Sequence, residues 1–430
     1  MNRPLATALA ALVVALPWVL WNWMPAPTLE LWYVAAHASE ARLVWIALCA
    51  FAGVQAWRGG RRSGARRGLA ASLGALALLG VVGGAVLEAR SFAFAARHGV
   101  PLSPSRYLFA WAADPGAPRA TVPFARVEGL ELLVDVWDAR PEPLVGELAP
   151  AIVRVHGGSW AFGTRSESPH WCRALTDAGC VVFDVDYRLT PPPRWKDAVC
   201  DVKGAVVWVR ANAKAFGIDP ERVVLMGASA GGHLALCAAY GSDALFPPTA
   251  TLGTATLGTV TNGAVTNGAV TRGAATNDSR GAPRARVRAV IAFSPPVVLD
   301  IGFGATYPWW YPDDLKGTRR VEELTGGTPT THPQRYRAAS PIEHADADTP
   351  ATLLLHGARD RLVWPANCER LAARLAQHGV AHRYLALPGS DHLFEYAPGG
   401  WSTQITEHAI ARFLGETVGS AQLPQQSAEE

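Results

Sequence analysis

The stretch VLMGASAGGHLAL, residues 224–236, sets one serine among small residues directly after an apolar run. The apolar run predicts a strand, and the residues after Ser229 predict a helix. G-x-S-x-G between a strand and a helix is typical of a nucleophile elbow, a sharp turn whose neighbours must be small. Turns rich in Gly, Ala and Ser are common, so the flanking strand and helix give the motif its weight. The turn would expose the Ser229 hydroxyl at a helix N-terminus, which favours developing negative charge.

A serine hydroxyl is a poor nucleophile unless a base takes its proton. LLLHGARDRLVW places Asp360 just after a predicted strand, and ALPGSDHLF places His392 in the loop after the next one. We expect Asp360 to orient the imidazole of His392, and His392 to accept the serine proton. Taken alone, Asp360 is typical of a surface-loop carboxylate, and only its pairing with His392 favours a catalytic role.

Other polar residues near these motifs have simpler interpretations. His356 ends a strand and is expected to hydrogen-bond locally, while His233 lies on the helix after the elbow and is expected to be structural. Asp391 adjoins His392 in the chain, which leaves its side chain poorly placed to orient that ring.

Acyl transfer also needs hydrogen-bond donors for an oxyanion. VRVHGGSWAFG, residues 153–163, follows a predicted strand, and its glycines allow backbone N–H groups to turn inward. Gly157 and Gly158 would supply donors, joined by the N–H group of Ala230. The alternative is an ordinary glycine turn.

The pattern of residues 120–416 predicts one α/β domain. The predicted strands cover 130–139, 151–155, 180–187, 221–226, 287–294, 351–357 and 382–389. The predicted helices cover 167–178, 195–217, 231–240, 365–378 and 403–415. Apolar strands that alternate with helices predict a mostly parallel sheet covered on both faces.

Two segments do not follow this alternation of strands and helices, one within the domain and one after it. Residues 247–283 contain a five-residue repeat of Thr and Gly that matches neither helical nor strand periodicity, and we expect a mobile surface insertion. Its deletion should leave activity largely intact. Residues 417–430 are expected to form a disordered tail.

Composition excludes some functional classes. The net charge of +3 argues against a nucleic-acid partner, and 49% hydrophobic residues argue against a disordered chain. The six cysteines show no metal-ligand spacing, and no metal or cofactor is implied. Cys172 and Cys180 could pair, but buried free thiols are an equal alternative. The oligomeric state is open.

Residues 1–90 predict a membrane anchor of about three transmembrane helices. The uncharged segments are 4–29, 43–57 and 68–87. The first could instead be a cleaved signal peptide, and the second is short for a span. Residues 91–119 are expected to link the anchor to the α/β domain.

The loop RGGRRSGARR between the second and third segments is rich in arginine. By the positive-inside rule it is cytoplasmic, so the α/β domain is expected outside the cytoplasm, on a multi-pass inner-membrane protein. This orientation holds only if residues 43–57 span the bilayer.

Several motifs together carry a family resemblance. They are HGGSW, VDYRL, GASAGGHLAL, SPPVVLD, ASPIEH, LLLHGARDRLV and LPGSDHLF. In order and spacing, residues 120–416 resemble the α/β-hydrolase esterases of the hormone-sensitive-lipase and bacterial feruloyl-esterase-like (HGGxW) group. The resemblance implies a Ser229–Asp360–His392 triad, an oxyanion hole at Gly157, Gly158 and Ala230, and structural roles for Asp186 and Arg188. Ser159 replaces the third glycine that many members carry, which weakens any expectation of activity on tertiary-alcohol esters.

The resemblance implies a serine hydrolase that cleaves a small or lipid-like carboxylic ester through an acyl-enzyme. The alternatives are a kynurenine-formamidase-type amidase, an acyltransferase to an envelope alcohol, and an inactive binding module. Trp160 of HGGSW and Trp309 and Trp310 of ATYPWWYPDD are candidates for an apolar substrate pocket. The alternative for the last two is a packed aromatic loop.

Overall fold

The computed structural model describes residues 2–24, 26, 28–62, 66–139, 148–253, 286–307, 311 and 316–419. Trp309 and Trp310, residues 254–283 of the expected insertion and residues 420–430 of the expected tail lie outside these ranges.

One sheet of eight strands, in the order β1-β2-β4-β3-β5-β6-β7-β8, organises the described residues after the N-terminal helices. The strands are β1 (Ala120–Val127), β2 (Leu130–Trp137), β3 (Ala149–Val155), β4 (Val181–Val185), β5 (Ile218–Ala228), β6 (Ala289–Phe293), β7 (Ala351–Gly357) and β8 (His382–Leu387). The β1–β2 and β2–β4 pairs are antiparallel, and the other pairs are parallel. The predicted α/β class is confirmed, and β1 is a strand that the sequence pattern did not predict.

Helices cover both faces of the sheet because its central strands are apolar on both sides. The helices after β3 are α6 (Pro169–Asp177), α7 (Asp197–Ala211), α8 (Ala213–Phe216), α9 (Ala230–Tyr240), α10 (Thr318–Thr325), α11 (Pro333–Ala339), α12 (Ala366–Gln377) and α13 (Trp401–Val418). Val153 and Val155 pack into the core beneath α7 and α9, whereas Ile152 packs into the core beneath α6 and α13. This alternation is the period of two that a strand imposes on its side chains.

Within the described residues, five α-helices precede the sheet. They are α1 (Arg3–Trp21), α2 (Leu29–Ser39), α3 (Arg42–Arg62), α4 (Arg67–Arg97) and α5 (Pro104–Phe109). By length and composition, α1, α3 and α4 are each able to cross a membrane. They pack closely through small residues: a Cβ added at Gly80 would overlap Cys49, and one at Gly84 would overlap Ile46. Close contact at small residues is how helices associate in lipid.

Residues 91–119, which we expected to be a linker, are instead packed against the α/β domain. Helix α4 continues to Arg97, and Ala95 and Val100 are buried in the same core as α13. The ring of Tyr107 on α5 stacks on Trp401 with 4.3 Å between centroids. The segment lacks a long apolar run because only one side of it is buried, so its sequence did not predict this packing.

The arginine-rich turn and the α/β domain lie at opposite ends of the helical bundle. At one end the Asn2 side chain donates to the carbonyl of Gly59, close to the turn between α3 and α4. At the other end Arg42, the first residue of α3, donates to the carbonyl of Gly389 in the α/β domain. Helix α3 has 21 residues, and at about 1.5 Å per residue it spans about 30 Å between these ends.

All six cysteines lie among the described residues as buried free thiols, Cys172 and Cys180 included. The disulfide that their spacing left open is not formed in this structure.

Candidate active site

Ser229 lies on a strained turn between β5 and α9. Its backbone has φ 52° and ψ −119°, a conformation with positive φ that residues with a side chain rarely adopt. A Cβ at Gly227 would overlap the carbonyl of Gly231, and a Cβ at Gly231 would overlap the carbonyl oxygens of Val155 and His156. The two glycines of G-x-S-x-G are therefore required by close backbone approach, as the motif predicts for an elbow.

Asp360 and His392 meet at the ends of β7 and β8. His392 Nδ1 lies 2.6 Å from Asp360 Oδ2, and both side chains are buried. The other carboxylate oxygen, Oδ1, accepts the backbone N–H groups of Leu362 at 3.0 Å and Val363 at 2.7 Å. The loop after β7 thus holds the carboxylate rigidly against the imidazole.

The remaining nitrogen of His392 is free. Nε2 is buried and has no hydrogen-bond partner among the described residues, and no hydrogen bond joins it to Ser229 there. Because Nδ1 faces Asp360, Nε2 is the atom available to accept a proton.

The charges of the pair reinforce each other. Burial opposes the charged form of Asp360, but the adjacent His392 and the hydrogen bonds from His356 and His392 hold its pKa well below the usual range. For His392, burial favours the neutral ring, but the charge of Asp360 outweighs it and raises the pKa above its ordinary value. An imidazolium at position 392 is therefore stabilised next to a permanent carboxylate.

A second histidine supports the same carboxylate. His356 Nε2 lies 2.7 Å from the carbonyl of Val363 and 3.1 Å from Asp360 Oδ2. Its interactions are local, as expected, but they include Asp360, and nothing in the sequence around His356 indicated that contact.

Among the described residues, no hydrogen bond joins the side chain of Asp391 or His233 to the imidazole of His392, although Asp391 Oδ1 accepts the backbone N–H of His392 at 2.8 Å. Asp391 binds Arg361 at 2.7 Å, while His233 accepts the indole N–H of Trp160 at 3.1 Å and bonds the carbonyl of Ala339 at 2.7 Å. Both have the structural surroundings that their positions in the sequence favour.

Gly157, Gly158 and Ala230 lie around the elbow. A Cβ at Gly157 would lie 3.3 Å from the carbonyl of Ala228 and 3.8 Å from the Ser229 Cβ atom. Gly158 has φ +106°, and a Cβ there would overlap the carbonyl of Phe162. Ala230 is the first residue of α9, so no preceding helical turn offers an acceptor for its N–H group.

A cavity of about 570 Å³ opens over Ser229, within the range of small-molecule pockets. Ser229, Ala230, Gly158 and Trp160 line its floor. The loop after β6 and the start of α10 contribute Leu299, Ile301 and Phe303 among other apolar side chains. Trp160 therefore lies where the sequence motif predicts it.

One wall of the cavity comes from α2, outside the α/β domain. The residues of α2 that line the cavity are Leu29, Glu30, Tyr33 and His37. Trp32 of the same helix is buried against His392, with ring centroids 6.1 Å apart. The sequence placed these residues only within the predicted membrane anchor, because the contacts join residues that are distant along the chain.

Two further polar residues near the site carried no recognisable motif. Tyr396 lines the cavity, and its hydroxyl donates to Glu167 at 3.3 Å. Glu395 is buried, and neither of its carboxylate oxygens has a partner among the described residues, so burial raises its pKa. Within the described ranges no cluster of His, Cys, Asp and Glu could hold a metal ion.

Known proteins with similar sequences include esterases. The BD-FAE family profile matches residues 141–375. Esterase LipC of Mycobacterium tuberculosis is 30% identical over 290 residues, covering 66% of this chain and 62% of LipC. Esterase LipQ of the same organism is 26% identical over 302 residues, covering 68% of this chain and 61% of LipQ. The alignments thus span about three fifths of these relatives.

Solved structures with the same fold include esterase 2 of Thermogutta terrifontis. Its propionate-bound form superposes with a TM-score of 0.53 at 22% identity, covering 74% of this chain and 99% of that one. The form phosphonylated by sarin gives a TM-score of 0.55 at 24% identity, covering 73% and 99%. The α/β-hydrolase fold expected from the motifs is confirmed.

Proposed function

Because the chain belongs to the BD-FAE family, we propose that it is a serine hydrolase that cleaves carboxylic esters. The observation that carries the proposal is the buried Asp360–His392 pair at 2.6 Å with a free Nε2 atom. The strained serine turn lines a cavity whose wall also includes Leu393, the residue directly after His392. The names of the relatives LipC and LipQ agree with ester hydrolysis.

The mechanism follows from these groups. His392 Nε2 takes the proton of the Ser229 hydroxyl as its oxygen attacks the ester carbonyl, and Asp360 stabilises the imidazolium that forms. The N–H groups of Gly157, Gly158 and Ala230 bind the oxyanion. His392 then gives the proton to the leaving alcohol, which departs as the acyl-enzyme forms. Water, deprotonated by His392, attacks the acyl group and releases the acid.

Labelling and hydrolysis together test the proposal. The purified full chain should react with a fluorophosphonate probe and hydrolyse p-nitrophenyl esters, while Ser229→Ala should do neither. The matched control is Ser105→Ala on α5, which should retain both activities. A folded wild-type protein that resists the probe and cleaves no ester of graded acyl length would contradict the proposal.

We further propose that α1, α3 and α4 anchor the protein in the cytoplasmic membrane with the α/β domain outside the cytoplasm. The opposite positions of the arginine-rich turn and the α/β domain support this orientation. A membrane-impermeant fluorophosphonate should label Ser229 in intact cells as fully as in lysed cells. Labelling only after lysis would show that the α/β domain lies on the cytoplasmic side.

A further inference from the structure

Helix α2 joins two of the membrane helices, and its three faces have different surroundings. Successive residues of an α-helix are about 100° apart, so the eleven residues from Leu29 to Ser39 sample the whole circumference. One face is buried against the α/β domain and carries Trp32, Ala36 and Ser39. The adjacent face lines the cavity over Ser229.

The third face of α2 is apolar and points away from both the α/β domain and the cavity. Leu31 is 38% exposed and Val34 is 51% exposed. Ala38 completes this face and is partly exposed, whereas Ala35 at its edge packs against the buried cluster of Trp32 and Ala36. An exposed face without a polar side chain is typical of a helix that lies in a membrane surface.

Exposed apolar side chains also occur in neighbouring segments. Trp23 and Met24, which follow α1, are 48% and 46% exposed. Phe109 at the end of α5 is 69% exposed, and Tyr107 of that helix accepts a hydrogen bond from the backbone N–H of Leu43 at the start of α3. These residues lie at the end of the bundle that adjoins the α/β domain, where spanning helices would leave the bilayer.

We propose that α2 rests its Leu31–Val34 face in the membrane surface while its Tyr33–His37 face walls the cavity, so that the enzyme draws a membrane-resident amphiphilic ester from the bilayer. The inference rests on the proposed ester hydrolysis and names its substrate class. Helix α2 forms the cavity wall on this side, and apolar side chains such as Leu299 and Phe303 line the cavity beyond it. Ionisable side chains share the lining, namely Glu30, His37, Glu167, Lys316, Arg319 and Arg320. An amphiphilic ester matches this mixture, with its acyl chain against the apolar side chains and its polar head near the ionisable ones.

The outer face of α2 is tested with two ester substrates in parallel. The full chain is reconstituted in phosphatidylcholine–phosphatidylglycerol vesicles, and p-nitrophenyl butyrate in water is compared with 4-methylumbelliferyl oleate in the bilayer. The double variant Leu31→Gln/Val34→Gln should lose about tenfold or more in kcat/KM for the oleate ester, because two polar amides disfavour the lipid surface. Its activity on the butyrate ester should change less than about twofold.

The control is Leu130→Gln, which replaces an exposed leucine at the β1–β2 turn of the α/β domain. It should leave both activities unchanged. Equal losses on both esters for the double variant, or no loss on either, would overturn the inference. If the wild type cleaves neither ester and resists the fluorophosphonate probe, the proposed function itself fails.

The cavity-facing side of α2 is tested in detergent, without a bilayer. Tyr33→Ala opens the wall of the cavity and should raise kcat/KM for octanoyl relative to butyryl p-nitrophenyl ester by about threefold or more. Leu31→Ala, one helix face away, is the matched variant and should keep the wild-type ratio. An unchanged ratio in Tyr33→Ala, with intact probe labelling to show that it is folded, would remove α2 from the substrate pocket.

Discussion

At the scale of single residues, the carboxylate of Asp360 makes more contacts than the single hydrogen bond to His392 that orients the imidazole. Its Oδ1 atom accepts two backbone N–H groups, and its Oδ2 atom faces both His392 and His356. Four contacts fix one carboxylate, so the ring of His392 has one stable orientation and its Nε2 atom points away from the acid.

Asp360→Asn should lower kcat about 10³–10⁴-fold, because the amide no longer holds the imidazole in the required tautomer or stabilises its charged form. The base acts when neutral, and the raised pKa of His392 predicts that wild-type hydrolysis increases as the pH rises through a value above 6.5. Without the carboxylate, burial is the largest influence left on the pKa of His392 and favours the neutral ring, so the residual activity should reach its plateau at lower pH. A pH–rate profile of both proteins measures this shift, and superimposable acid limbs would contradict it.

Glu395→Gln should stabilise the protein at alkaline pH. Burial raises the pKa of Glu395, so the folded protein holds this proton to a higher pH than the unfolded chain, which releases it near the ordinary value of 4.5. Folding stability therefore falls as the pH rises from 4.5 through the raised pKa, and the amide removes this loss. We expect a gain of about 1 kcal/mol, or about 2–4 °C in Tm, at pH 8 and little change at pH 4.

The control for this change is Glu369→Gln, on the exposed side of α12. Its Tm difference from the wild type should be the same at both pH values. A Glu395→Gln protein with a lower Tm at pH 8 would show that the carboxylate is charged and needed.

At the scale of elements, close backbone approach shapes the turn from β5 into α9. Gly231 lies where any side chain would meet the carbonyl oxygens of Val155 and His156 at the end of β3. The elbow and the glycine turn after β3 are thus packed backbone to backbone, which places the candidate oxyanion donors beside the serine.

Gly231→Ala should abolish probe labelling of Ser229 and destabilise the protein by about 2 kcal/mol or more, because the turn must shift to admit a methyl group. Gly415→Ala on the exposed side of α13 is the matched change. No atom lies within 4 Å of the added Cβ there, and the protein should gain about 0.5–1 kcal/mol from higher helix propensity. Denaturant unfolding and labelling rates measure both effects, and a labelled, stable Gly231→Ala protein would contradict the packing argument.

A strand or helix could be predicted where its sequence pattern lies within one short continuous stretch. Strands β2–β8 and helix α9 follow apolar runs bounded by turn residues, so their positions were predicted within a few residues. Strand β1 carries Pro123 and a broken alternation of apolar residues, and it was missed. Helices α10 and α11 are short and rich in charged or polar residues, which resemble loop sequence.

The same holds for the candidate site, where residues in local motifs could be predicted and contacts between distant parts of the chain could not. Ser229, Asp360 and His392 could be predicted as site residues because each follows a strand in a recognisable motif. The contribution of α2 could not, because Trp32 reaches His392 across 360 positions of the chain. Only the folded arrangement of the anchor reveals that contact.

At the scale of the whole molecule, the anchor and the α/β domain share buried polar contacts. Arg42 pairs with Glu88 at 2.9 Å, with both side chains buried, and also donates to the carbonyl of Gly389. Glu40 accepts a hydrogen bond from Ser390 at 3.1 Å. The loop that carries His392 is thus fastened to the start of α3 and to the turn between α2 and α3.

Arg42→Met should destabilise the protein by about 3–5 kcal/mol, because Glu88 is left buried without its cation. Adding Glu88→Met removes the unpaired charge and should recover most of the loss. Thermal unfolding in detergent measures both variants. If the double variant is no more stable than Arg42→Met alone, the pair is not the source of the coupling.

The contacts of Arg361 with the carbonyl oxygens of Trp21 and Asn22, at 3.2 and 3.3 Å, fasten the acid-bearing loop to the end of α1 as well. Both halves of the proton-transfer machinery are therefore fastened to the helical segment that we propose to insert into lipid. A newly made chain still in transit, or a fragment shed from the cell surface by proteolysis, should be inert. Such a dependence would confine hydrolysis to the place where the enzyme is meant to work, without an inhibitor or a propeptide.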